Sequence, residues 1–175
     1  MCANANINAS ICIPQKIDLL IFDFDGVFTD NTVIVKESGE ESVTCNRADG
    51  LGIAMLHKLG IPMLILTRET NTVVVHRANK MKVPVIHGAK DKGCVLKDLI
   101  DKRKLNPENI IYVGDDVNDI GCMRVAGVSV CPQNAHPDVK KIATIHLTQS
   151  GGRGAVRELV DYILESRSKR GEECI

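Results

Sequence analysis

The sequence predicts an α/β fold with a mostly parallel central sheet and helices on both faces, and three observations carry that prediction. Short apolar runs alternate with segments of helical periodicity along nearly the whole chain, the pattern of strand–helix–strand units. Most of these runs are continuous rather than interleaved with polar residues, as strands covered on both faces require. The polar clusters fall where the runs stop, and parallel sheets gather their ligands outside those strand ends.

Taken in order, "KIDLLIFDF" (16–24) reads as a buried strand. Two short alternating runs around Ser38-Gly39-Glu40 make 32–46 a hairpin. In "DGLGIAMLHKLG" (49–60), Leu51, Met55 and Leu59 recur at helical spacing and Gly60 stops the helix. "IPMLILT" (61–67) is a second buried strand, followed by a helix over 71–82 despite its three valines. A short strand at 83–87 and a helix at 91–104 come next. "ENIIYVGDD" (108–116) is strand then loop. A helix at 119–127, strands at 128–132 and 143–148, and a glycine-rich turn leading into an amphipathic helix over 151–167 complete the chain. Residues 1–15 are expected to form a flexible tail, 16–168 one domain with a hairpin flap at about 31–46, and 169–175 a second tail.

The totals exclude several classes. The 175 residues suit one domain, and 44% apolar residues suffice for a real core. A formal net charge of zero gives no reason to expect nucleic acid or an anionic membrane surface as partner. Seven cysteines without regular spacing argue against both a disulfide framework and a structural zinc site. The N-terminal "MCANANINASICIPQK" lacks the basic and apolar regions of a secretory signal. No run approaches the roughly 20 apolar residues of a membrane span, so a cytoplasmic protein with reduced thiols is expected.

Asp23 and Asp25 end the first strand, Thr67 the second, and Asp115 and Asp116 follow a later one. Carboxylates converging at strand ends repel one another, and a hard divalent cation compensates them. Oxygen ligands without His or Cys favour Mg²⁺ over zinc, and Mg²⁺ is the usual companion of a phosphate substrate. Two neighbouring carboxylates can divide the work, one attacking phosphorus and the other protonating a leaving alcohol. Asp-x-Asp behind a strand is by itself equally a surface turn; "GDDVND" and Thr67 shift that balance.

These motifs resemble the haloacid dehalogenase (HAD) superfamily and specifically its phosphotransferases. "LLIFDFDGVFTD" resembles the family's first motif, Thr67 in "LILTRE" its second, Lys92 in "GAKDKG" its third (Lys90 is the other choice), and "GDDVND" its fourth. The resemblance implies a Rossmann-like HAD fold with these roles: Asp23 is the nucleophile, Asp25 the general acid and then base. Asp23, Asp25 through its backbone carbonyl, and Asp115 hold Mg²⁺. Thr67 and Lys92 bind the transferring phosphoryl group. Asp119 and Asp116 stand behind the ligands, Asp119 orienting Lys92 or a metal-bound water.

The gaps between motifs are too short for a cap domain, so the chain resembles the capless subgroup that dephosphorylates 2-keto-3-deoxy sugar acids. "DGLGI", "AHPDVKKIA" and "GGRGAVREL" carry that likeness. It implies a homotetramer whose neighbouring subunit covers the site. Glu69, with Arg77 eight residues on and Lys80 three further, is similar to the nine-carbon nonulosonate 9-phosphate (sialic-acid type) phosphatases. Arg68 departs from their usual glycine. Arg77 and Lys80 either clamp the sugar carboxylate or decorate a solvated helix face. Arg153, beside the N–H groups of Gly151 and Gly152, either touches substrate from a neighbouring subunit or opens a helix. The rival substrate is the octulosonate 8-phosphate of lipopolysaccharide synthesis. The rival class is a non-catalytic tetramerisation module of the kind attached to acylneuraminate cytidylyltransferases.

Overall fold

The computed structural model describes residues 13–172; of the tails expected at 1–15 and 169–175, residues 1–12 and 173–175 lie outside the described residues. Six parallel strands form one sheet in the order β5-β4-β1-β6-β7-β8. They are β1 (Leu19–Phe22), β4 (Met63–Leu66), β5 (Val85–Ile86), β6 (Ile110–Val113), β7 (Val128–Cys131) and β8 (Ile145–His146). Strands β2 (Thr29–Val35) and β3 (Glu41–Cys45) form a separate antiparallel hairpin. The helices are α1 (Arg47–Lys58), α2 (Thr72–Met81), α3 (Lys92–Arg103), α4 (Ile120–Met123), α5 (Pro137–Lys140) and α6 (Ala155–Lys169).

The pleat of β1 explains why the core has two halves. Leu20 and Phe22 face a cluster built with Ile53 and Leu56 of α1, Val74 and Ala78 of α2, and the buried stripe of α6 from Ala155 to Ile163. Leu19 and Ile21 face the opposite cluster, with Leu96 and Ile100 of α3, Cys122 and Met123 of α4, and Val139 of α5. Alternate residues thus serve opposite faces, and all four β1 side chains are buried. That is the physical content of the continuous apolar run.

The ends of the helices are set by side chains that the sequence supplies locally. Asn46, Asn71 and Asp91 cap α1, α2 and α3 by accepting N–H bonds from Ala48, Val73 and Cys94. Lys82 and Lys104 take left-handed conformations that close α2 and α3.

Two expected elements differ from the reading above, and one helix is additional to it. The helix expected over 119–127 is a 3-10 turn at Val117–Asp119 followed by the single turn of α4. Asp119 and Asp116 spend their side chains on a reciprocal cap there, and Gly127 already lies against the Glu108 backbone. The strand expected over 143–148 pairs only at Ile145 and His146. Helix α5 has no counterpart among the expected elements: His136 Nδ1 accepts the Asp138 N–H, and Pro137 begins the helix. At the N-terminal boundary Ile13 is already packed into the core, and its carbonyl accepts from Arg170.

Candidate active site

β1 lies between β4 and β6, so the three strands release their chains side by side at one edge of the sheet. Asp23 follows β1, Thr67 follows β4, and Asp115 lies two residues beyond β6. Lys92 opens α3 and points back into the same place with no side-chain exposure. All four residues are buried.

Lys92 Nζ is the hub, 3.0 Å from Asp23 Oδ2 and 2.7 Å from Asp119 Oδ1. Burial works against the charge of Lys92, but Asp23 and Asp119 together outweigh it and hold the ammonium above its ordinary range. Burial, reinforced by Asp119 and opposed by Lys92, pushes Asp23 up to about 8. Asp115 is pushed up to about 7, first by burial and then by Asp119 and Asp116. Candidate ligand oxygens of Asp23, Asp115 and Asp119 all lie within 4.8 Å of one another. One lysine does not neutralise three carboxylates so close together.

The three do not have equal capacity to hold a cation. Asp119 Oδ1 accepts from Lys92 and from the Tyr112 hydroxyl at 2.7 Å, and Oδ2 accepts from the Asp115 and Asp116 N–H groups at 3.0 and 3.3 Å. Its lone pairs are therefore engaged, and it positions Lys92 and the 115–116 backbone. Asp23 Oδ1, by contrast, is buried with no hydrogen-bond donor among the described residues. A buried carboxylate oxygen without a donor, next to a second all-oxygen ligand in Asp115, fits a hard divalent cation.

Asp25 stands apart from this cluster. It is half-buried, its Oδ1 accepts from the Thr29 hydroxyl at 3.0 Å, and it lines the cavity at the mouth of the site. Burial, opposed by the Thr29 hydrogen bond, raises its affinity for a proton. Its side chain is not among the clustered ligand oxygens. Thr67 aims its hydroxyl at the following loop, where it accepts the Glu69 N–H at 3.1 Å. Lys90, the other choice for the motif lysine, is exposed, whereas Lys92 is buried in the site. Phe28 packs between Phe22 and Phe24, with ring centroids 5.2 and 6.0 Å away, and all three rings belong to the apolar core beside the site.

The other expected residues divide. Glu69 lines the mouth cavity with Asp25, although its carboxylate folds back to accept the Thr70 and Asn71 N–H groups. Arg77 and Lys80 line a different cavity, with Cys45, Arg47, His57 and Lys82, and Arg77 donates to the Asn46 carbonyl. Within one chain they are not joined to Asp25 and Glu69. Arg153 bonds Asp30 at 3.0 Å and ties the glycine turn to the first motif loop. Asp116 is exposed, and its side chain caps the 3-10 turn.

Sequence reasoning missed Tyr112, whose position inside a buried strand gives no hint that its hydroxyl reaches Asp119. It also missed Asn31, which donates to Asp115 Oδ2 at 2.7 Å.

This fold with this arrangement of Asp, Thr, Lys and Asp at adjoining strand ends defines a hydrolase of the phosphoryl-transferring kind. Residues 64–159 match the family model for haloacid dehalogenase-like hydrolases. The chain belongs to that family and is a phosphatase. It is 35% identical to the 3-deoxy-D-manno-octulosonate 8-phosphate phosphatase of Escherichia coli K12, over 93% of this chain and 87% of that one. A HAD-family hydrolase structure from Streptomyces avermitilis shares 44% identity at a TM-score of 0.84, covering 87% of this chain and 88% of that one. The Moraxella catarrhalis octulosonate 8-phosphate phosphatase, solved with a magnesium ion, phosphate and the sugar acid, is 29% identical at a TM-score of 0.84, covering 93% and 91%.

Proposed function

We propose that the chain is a Mg²⁺-dependent phosphatase of 2-keto-3-deoxy sugar-acid phosphates. The observation that carries this reading is the buried Asp23–Lys92–Asp119 chain with Asp115 beside it and Asp23 Oδ1 left without a donor. Asp23 and Asp115, with the Asp25 backbone carbonyl, would hold Mg²⁺. When bound, it neutralises phosphate charge and keeps Asp23 ionised. Lys92 and Thr67 bind the phosphoryl oxygens. An Asp23 oxygen attacks phosphorus while the bond to the sugar oxygen breaks, and Asp25 gives its proton to that oxygen. The product alcohol leaves and an aspartyl phosphate remains. Asp25, now a carboxylate, takes a proton from water as its oxygen attacks phosphorus, which releases phosphate and restores Asp23. The raised proton affinity of Asp25 suits a group that must first be an acid.

The named relatives favour octulosonate 8-phosphate as substrate. The Glu69, Arg77 and Lys80 spacing favours the nine-carbon nonulosonate 9-phosphate as a second reading. The mouth cavity is lined by Asp25, Glu41 and Glu69 and by no lysine or arginine. A sugar carboxylate therefore needs a cation from elsewhere. Arg47, Arg77, Lys80 and Lys82 line the other cavity, and a neighbouring subunit can present that basic surface to the acidic mouth. Arg153, 65% exposed at its side chain, is a further cation a neighbour can use. Val33, Ile34 and Val35 are 51–63% exposed on the hairpin, which supports self-association, and we take the assembly to be a homotetramer. No helix among the described residues is long and apolar enough to cross a membrane; a cytoplasmic location is part of the proposal.

Phosphate release from both sugar-acid phosphates with Mg²⁺ present tests this reading, with Asp23→Asn as control. Turnover of either, abolished in the control, supports it, and the faster substrate selects the sugar. Equal turnover of unrelated phosphomonoesters, or activity surviving Asp23→Asn, would overturn it.

A further inference from the structure

The hairpin is joined to the acid cluster by one side chain. Between Thr29 and Val33 the pairing register shifts, and Asn31 sits in that irregularity with φ 65°. Most side chains avoid this left-handed region, and asparagine tolerates it better than most. From there Asn31 Nδ2 donates to Asp115 Oδ2 at 2.7 Å. The loop beneath makes room for the bond. Gly26 has φ 75°, and a Cβ built there would lie 1.9 Å from Asp115 Oδ2 and 2.8 Å from Asn31 Nδ2. The contact thus rests on two matched features of one loop, a glycine without a side chain and an asparagine in the conformation that aims its amide inward.

We propose that Asn31 is a positioning residue for the metal site, fixing the Asp115 carboxylate so that its other oxygen is presented to the cation. The inference rests on the magnesium reading above. With Oδ2 held, Asp115 keeps one orientation, and the geometry Mg²⁺ demands does not have to be found anew at each binding event. Because Asn31 belongs to β2, the same bond makes the placement of the hairpin and the order of the metal ligand interdependent.

Asn31→Gly separates the amide from the backbone. Glycine adopts φ 65° without strain, so the variant loses the hydrogen bond while the loop keeps its conformation. Titration calorimetry of the metal-free proteins with MgCl₂ should show affinity reduced about tenfold, the scale on which groups that orient metal ligands act. The metal-free melting temperature should stay within a few degrees of wild type, and kcat should recover at saturating Mg²⁺. Unchanged Mg²⁺ affinity overturns the inference. So does weakened affinity accompanied by a collapse of metal-free stability, because Asn31 would then be holding the fold. Failure of the wild-type protein to bind Mg²⁺ overturns the magnesium reading and this inference with it, and that outcome is visible in the wild-type titration alone.

Discussion

Removing the metal should make this protein sensitive to alkali in a way its composition does not suggest. In the metal-free chain Asp23 is pushed up to about 8 and Asp115 to about 7, against an ordinary value of 3.8. Both bind protons more tightly folded than unfolded. Their contribution to stability is therefore fully present below the unfolded value near 4, and it is lost as pH rises through 7 and 8. Asp115 alone corresponds to roughly three pKa units, or about 4 kcal/mol. Asp23 is shifted in the same direction, and burial is the first cause for both. The Asp115 share by itself is about 8–16 °C in melting temperature for a domain of this size. Thermal unfolding after chelation, from about pH 4 to about pH 9, should show this decline. Mg²⁺ at about 100 times its Kd should restore roughly 2.7 kcal/mol. Asp115→Asn should flatten the slope by about half, since the neutral amide no longer distinguishes the two pH extremes. A flat metal-free profile, or an unchanged slope in Asp115→Asn, would show that these carboxylates are not confined as the geometry indicates.

Two further substitutions test other parts of the site. Lys92→Met leaves Asp23 and Asp119 buried without their cation and should cost about 3–5 kcal/mol in denaturant unfolding, with phosphate release down at least a hundredfold. Gly151→Ala places a Cβ 1.8 Å from the Gly26 carbonyl oxygen. It should push the glycine turn off the first motif loop, with about 1–3 kcal/mol lost to overpacking and a lower kcat.

The parts of this structure legible in the sequence are those in which one local feature decides the outcome. β1 is a run of four apolar residues with no polar interruption, and only a strand covered on both faces buries all of them. The carboxylates that follow stand out because the run ends at Asp23. α2 was readable through three valines because Asn71 starts it and its buried positions, Val74, Ala78 and Met81, keep helical spacing. Features that depend on how elements dock were not legible. The spacing of Arg77 and Lys80 puts both on one side of α2, but which cavity they line depends on how α2 lies against the α1 side of the molecule. Helix α5 is four residues long, shorter than any periodic pattern can register. Tyr112 reads as an apolar strand residue until α3 and the 115–119 loop bring Lys92 and Asp119 over the end of the strand.

Asp119 shows why a count of acids at a strand end does not identify the metal ligands. By proximity it qualifies as well as Asp23 and Asp115. By hydrogen bonding it is already occupied: Lys92, Tyr112 and two backbone N–H groups converge on its two oxygens. Displacing them for a cation would leave the buried Tyr112 phenol without its acceptor and take from Lys92 the shorter of its two ion pairs, a penalty of several kcal/mol. Asp23 Oδ1 carries no such obligation. The cluster is thus divided into carboxylates that the protein satisfies and a carboxylate oxygen that it leaves wanting. Under the proposed function that division assigns the work: Asp119 is part of the scaffold that holds Lys92 in place, and the unmet charge of Asp23 and Asp115 is what would draw a divalent cation and, behind it, a phosphate.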